Sequence, residues 1–162
     1  MLTQRDLDQI QALIQPIIGK RAWGVKAVLD SYIYLEFGSP RLRHARRPQP
    51  VTVRGEWLFW VTFAVWRLER DGSVIAGSQD RFAQFSPVVE VLEGKILLSA
   101  QVSLPALDVV LTFEDDLRLR LFIAHHLKRG DFGPIEGWNL YTPENKVLTA
   151  GASQTWSHRR FY

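Results

Sequence analysis

Few residues of this 162-residue chain have the types and spacing that chemistry needs. Cysteine is absent, which removes thiolate nucleophiles, thiolate metal ligands and disulfides together. The histidines are His44, His125, His126 and His158. Only His125 and His126 are neighbours. Adjacent strand residues point to opposite faces, so one ion cannot easily take both. No metal ligand and no cofactor is expected. Ser78, Asp80 and His125 are the types of a hydrolytic triad, but no nucleophile-elbow spacing supports one. A P-loop and a dinucleotide fingerprint are also missing. Glu114, Asp115 and Asp116 read as a solvated turn. No catalytic residue is assigned.

Two other groups remain. The first is "RLRHARR", where Arg41, Arg43, Arg46 and Arg47 flank His44. The chain has 20 basic and 17 acidic residues; without these four arginines 16 would face 17. The positive charge is therefore local, and a partner would meet it at one loop. Guanidinium groups bind carboxylates and phosphates in bidentate fashion, so an acidic protein or a nucleic acid suits it. The second group is "RGEWLFWVTFAVWRLERDG", residues 54 to 72, with three of the six tryptophans. Trp60 and Trp66 beside Glu56 would line a pocket for an apolar ligand. Glu56 either pairs with Arg54 or sits in that pocket with a raised pKa. Base stacking needs exposed rings interleaved with cations, and none lies between Arg54 and Arg67.

These groups need elements to hold them. Thr3 with Asp6 reads as a capping box. Leu7, Ile10, Ile14 and Ile17 follow one helix face, so a short amphipathic helix is expected over about 4–15. After Gly19 the period changes to two. "WGVKAVL" and "SYIYLEF" read as strands, and "GSPRLRHARRPQP" as a loop. From Trp57 both faces of the aromatic run are apolar. That predicts a strand buried on both sides, long enough to need a bend or bulge. Asp71-Gly72 marks a hairpin before "SVIAGS". Strands follow at "GKILLSAQVSL", "LDVVLTF", "LRLRLFI", "WNLYT" and "KVLTAG". Arg118 and Arg120 alternate on an exposed strand face. With His125, Lys128 and Arg129 they would widen the basic patch if the fold gathers them.

The halves echo each other. Ile33, Leu35 and Phe37 match Val109, Leu111 and Phe113. Trp66 and Leu68 match Trp138 and Leu140, each pair followed by a turn and an apolar pair. Gly77-Ser78-Gln79 resembles Gly151-Ala152-Ser153-Gln154, and Gly19-Lys20 resembles Gly94-Lys95. The expected pseudo-repeats are 19–82 and 94–157, within one domain spanning 1–162.

"AWGV" followed by "YLEFG" and "RGEWLFWVTFAVWRLE" resembles a group of small uncharacterised bacterial proteins. Their shared feature is an LEFG strand followed by a GEWxxW…WR segment. The resemblance covers roughly residues 22 to 69. It implies a bacterial protein and supplies no activity, substrate or site residue.

The resulting expectation is a mainly β (α+β) fold. Two similar antiparallel β-meander halves form one sandwich- or barrel-like domain with one N-terminal helix. Neither a signal-like run nor an apolar stretch long enough to span a bilayer is present, so a cytoplasmic protein without membrane contact is expected. The expected function is a non-enzymatic binding or accessory protein. It acts on a protein partner through Arg41, Arg43, His44, Arg46 and Arg47. The alternatives are a nucleic-acid-binding module using the same loop, and a small-molecule-binding protein or enzyme with a pocket near Glu56, Trp60 and Trp66. A homodimer through an exposed strand is a further expectation.

Overall fold

In the computed structural model, residues 1–28, 31–43, 52–124 and 135–161 are described. Helix α1 (Gln4–Ile14) begins at the expected box: the Asp6 amide donates to Thr3 Oγ1 and the Thr3 amide donates to Asp6 Oδ2, at 3.3 and 2.8 Å. A 3-10 turn at Gln15–Ile17 and Gly19, with φ +84°, end it. Strands β1 (Trp23–Val28), β2 (Tyr32–Phe37), β3 (Arg41–Arg43), β4 (Thr52–Arg54), β5 (Trp57–Val61), β6 (Val65–Arg70) and β7 (Ser73–Gly77) follow. Helix α2 (Phe82–Val89) comes next, then a 3-10 turn at Glu90–Leu92. The chain continues with β8 (Leu97–Ser103), β9 (Asp108–Phe113), β10 (Leu117–Phe122), β11 (Glu136–Tyr141), β12 (Lys146–Gly151) and β13 (Thr155–Arg160).

The fold is the expected mainly β, sandwich-like one, with the N-terminal helix joined by the unexpected α2. Phe82, Phe85, Val89 and Leu92 repeat the spacing of Leu7, Ile10, Ile14 and Ile17. That spacing was the available signal. Pro87 inside an eight-residue helix hid it. Phe85, Val89 and Leu92 are buried, as are Ile10, Ile14 and Ile17.

Two antiparallel sheets enclose the core. Sheet one has the order β1-β2-β5-β11-β12-β13, and sheet two the order β7-β6-β10-β9-β8. Strands β3 and β4 form a separate hairpin. Inward side chains alternate with outward ones along each strand. Ile33, Leu35, Phe59, Trp138 and Leu140 fill the core from sheet one; Trp66, Leu68, Leu111 and Leu119 fill it from sheet two.

The sheets follow one plan. Sheet one takes β1-β2-β5 and adds the hairpin β11-β12; sheet two takes β8-β9-β10 and adds the hairpin β6-β7. Bonds at matched places agree. Gly19 N donates to Leu97 O at 2.7 Å, and Gly94 N to Ala22 O at 2.8 Å. Trp66 Nε1 donates to Ser31 O at 2.7 Å, and Trp138 Nε1 to Leu107 O at 3.0 Å. Both accepting residues hold positive φ, 68° and 66°. The glycine-serine-glutamine echo does not share this register. Gly77 pairs with Arg67, one residue after its tryptophan, whereas Gly151 pairs with Glu136, two residues before the other.

The aromatic run is not one strand buried on both sides. It breaks at Thr62–Ala64 and changes sheets. Thr62 N and Ala64 N both donate to Gly137 O, at 3.0 and 3.3 Å, while Phe63 N donates to Glu136 O at 3.1 Å. Phe59 and Val61 face the core from sheet one; Trp66 and Leu68 face it from sheet two. The chain turns over between them, so each apolar face is inward for half of the run.

Candidate basic hairpin and aromatic face

The described part of the basic segment is a hairpin stem. Strand β3 pairs with β4, with Arg41 opposite Arg54, Leu42 opposite Val53 and Arg43 opposite Thr52. Partners across a ladder share a face. One face carries the arginines, and both of its described guanidinium groups turn back onto carboxylates. Arg41 Nη2 donates to Glu56 Oε1 at 2.6 Å. Arg54 Nη1 donates to Glu36 Oε1 at 3.1 Å, and Gly55 N to Glu36 Oε2 at 2.9 Å. Glu36 is only 3% exposed, so those bonds offset the cost of burying its charge. The other face carries Leu42 and Val53, exposed at 67% and 54%. The Arg54–Glu36 pair thus ties the stem to β2 of sheet one, and the Arg41–Glu56 pair braces its base, while its apolar pair faces solvent.

Glu56 pairs with Arg41, not with the expected Arg54. The reason is the chain reversal at Gly38, where φ is +78° and a Cβ would stand 2.4 Å from Glu56 Oε2. Only glycine fits there, and the reversal brings both Ser39 N and Arg41 to Glu56. The Ser39 amide bond, at 3.0 Å, is the main force holding the Glu56 carboxyl below its ordinary pKa, and Arg41 adds to it. The shift is thus opposite to the alternative of a raised pKa in a pocket.

Glu56, Trp60 and Trp66 do not form one pocket. Trp66 is buried in sheet two, edge-on to Phe85 at 5.2 Å. Trp60 lies on the outer face of sheet one between Tyr34 and Tyr141, at 5.3 and 6.3 Å with nearly parallel rings. Tyr32 meets it edge-on at 6.3 Å. Trp60 Nε1 is buried and, among the described residues, has no hydrogen-bond partner. Burial in this cluster raises the Tyr141 pKa. Sequence reasoning missed this cross-strand stack because Tyr34, Trp60 and Tyr141 come from distant segments. Alternation alone put Tyr32 and Tyr34 on one face, but not the partner strand.

Beside the stack a groove of about 290 Å³ is lined by Trp23, Lys26, Tyr34, Glu36, Val53 and Arg54, among others. Ligand pockets usually hold about 300–1,000 Å³, so this one is small. Its Glu36 and Arg54 are already paired with each other.

The side chain of Arg43 and all of His44, Arg46 and Arg47 lie outside the described residues, as do His125, His126, Lys128 and Arg129. Arg118 and Arg120 lie on the outer face of sheet two. Arg118 bonds Asp116 at 3.3 Å, and Arg120 bonds Glu69 at 2.9 Å. Burial alone would raise the Glu69 pKa. Its bonds to Arg120 and Arg67 outweigh that and lower it. These arginines are neutralised where they stand. Ser78 Oγ accepts from Trp66 N at 3.1 Å, and Asp80 Oδ2 accepts from Gly77 N at 2.8 Å. Both serve the backbone. Among the described residues no cluster of three metal-ligating side chains occurs, and no helix is long and apolar enough to cross a membrane.

Comparison with protein-family models, with curated proteins and with solved structures finds no match.

Proposed function

We propose that this chain is a non-enzymatic binding protein whose partner is an acidic protein. The contact is the segment Arg41–Arg47 together with Leu42 and Val53. One observation carries the reading. Residues 38–56 join β2 to β5, whereas residues 114–116 suffice for the matched connection between β9 and β10. A scaffold that needs only a tight turn carries a braced hairpin stem with an exposed apolar pair, and the sequence between its two strands is rich in arginine. Loops added to a rigid scaffold are where binding usually lives. Leucine and valine suit a protein surface better than a phosphate backbone, which favours a protein over the nucleic-acid alternative.

The matched bonds of the two sheets also support descent of both halves from one duplicated unit. The lack of cysteine fits a reducing cytoplasm. The resemblance around residues 22 to 69 supports a bacterial origin.

Binding to poly-glutamate and to single- and double-stranded oligonucleotides, each across a salt series, tests the reading. Poly-glutamate should bind at low ionic strength, more weakly in the Arg43→Ala/Arg46→Ala/Arg47→Ala variant, and Leu42→Asp should weaken it further. Tighter binding of an oligonucleotide, with a steep salt slope, would move the reading to nucleic acid. No binding to either would end it.

A further inference from the structure

Sheet edges expose unpaired backbone groups, and folded proteins guard them with charge, proline or caps. Here β1 is capped by Glu93, whose carboxylate accepts from Gly24 N and Val25 N at 3.1 and 2.7 Å. Strand β8 is capped by Gln11. Its Nε2 donates to Ala100 O at 2.6 Å and its Oε1 accepts from Val102 N at 3.2 Å. Strand β12 is covered by β13, which itself carries His158, Arg159 and Arg160.

Strand β7 differs. Its sequence, "SVIAG", has no charge and no proline. Asp80 takes the amide of Gly77 at its end. Among the described residues no side chain bonds the backbone of Ser73–Ala76. Val74 is 62% exposed, and Phe82, the first residue of α2, is also exposed. In the shared plan of the sheets, β7 stands where β12 stands. Among the described residues no strand fills beside β7 the place that β13 fills beside β12; the nearest cover is α2, which packs against β7.

We propose that this edge is a homodimer interface. A second copy of the chain pairs its own β7 antiparallel to this one, joining two five-stranded sheets into one continuous sheet. An uncharged strand meets its copy without opposing like charges. A two-fold axis makes such a contact from a single patch, and it closes. The same axis brings each α2 toward its copy, so both Phe82 rings share the interface. The filled edge shows the pattern: β13 pairs with β12, and Trp156 Nε1 donates to Asp6 Oδ1 at 3.1 Å in the first turn of α1. Phe82 holds the corresponding first turn of α2. The inference is independent of the basic hairpin, which belongs to sheet one.

Sedimentation velocity of the full chain, from about 1 to about 500 µM, tests it. A concentration-dependent dimer is expected. Val74→Lys and Val74→Glu should each weaken it at least tenfold, and an equal mixture of the two should recover association. Leu98→Lys, an exposed change on the capped β8, should leave association unchanged. Val74 is exposed, so its variants should keep the circular dichroism of the parent. A monomer at every concentration would overturn the proposal and give the edge to a strand from another protein. A dimer untouched by Val74→Lys, or lost equally with Leu98→Lys, would also overturn it.

Discussion

The connection between β2 and β5 and the connection between β9 and β10 hold matched places in the two sheets. The first runs from residue 38 to 56 and contains β3 and β4; the second is Glu114, Asp115 and Asp116. In the short turn both aspartates hold positive φ, 60° and 51°, and the strands close directly. In the strand before the long one, buried Glu36 stands where Thr112 stands in the other sheet, each one residue before its paired phenylalanine. The scaffold closes with three residues. On the proposed reading the hairpin and its carboxylate are additions that the fold alone does not require.

The comparison is sharpest where the sheets should respond alike. Trp66→Ala and Trp138→Ala should each cost about 3–5 kcal/mol, since each removes a buried ring. Urea denaturation would measure both. A cost for one several times that for the other would break the equivalence of the halves.

The next test separates the sheets. Arg54→Ala leaves the Glu36 carboxylate with only the Gly55 amide and should destabilise by about 2 kcal/mol. That is less than the roughly 3–5 of a fully buried pair, because Arg54 keeps some solvent. Thr112→Ala on the other sheet should change stability by at most about 0.5 kcal/mol. Equal effects would remove Glu36 from its special place.

Acid gives a smaller effect, confined to sheet one's hairpin. The folded Glu56 pKa lies below its ordinary 4.5. The unfolded chain therefore takes up the proton first as pH falls. The stabilisation is complete above about pH 4.5 and disappears as pH drops through the lower folded value. Protection of the amides near Ser39 and Arg41, taken relative to the intrinsic exchange rate at each pH, should fall over that window in the parent. The same loss of protection at pH 7 is expected of Glu56→Gln. Unchanged protection would deny Glu56 its role as brace.

A small effect is also expected at Trp60. Its buried Nε1 has no hydrogen-bond partner among the described residues, so Trp60→Phe should shift stability by less than about 1 kcal/mol. A loss near that of Trp66→Ala would mean that the outer stack holds the fold.

Much of this was legible in the sequence. Alternation put Ile33, Leu35 and Phe37 on one face, which the structure turns inward, and Thr3 with Asp6 set the start of α1. The tryptophan pair signalled the matched hairpins, because both indoles serve the same bond. Other features were hidden for physical reasons. The chain changes sheets at Thr62–Ala64, and a periodicity that continues through a crossover reads as one strand. Helix α2 is short and contains Pro87, so its spacing was visible only beside that of α1. The ion pairs of the hairpin depend on a reversal at Gly38 that local charge patterns do not encode. Adjacency favoured Arg54 for Glu56, whereas the register assigned Arg41. Trp60 and Trp66 are close in sequence but separated by the crossover, which dissolves the expected pocket.

The most direct test replaces residues 38–56 with Glu-Asp-Asp, the turn of the second sheet, together with Glu36→Thr to remove the carboxylate that the hairpin satisfies. The variant should keep a cooperative unfolding transition within a few degrees of the parent and lose poly-glutamate binding. Retained binding, or a chain that no longer folds, would contradict the view of the hairpin as a binding device added to a scaffold complete without it.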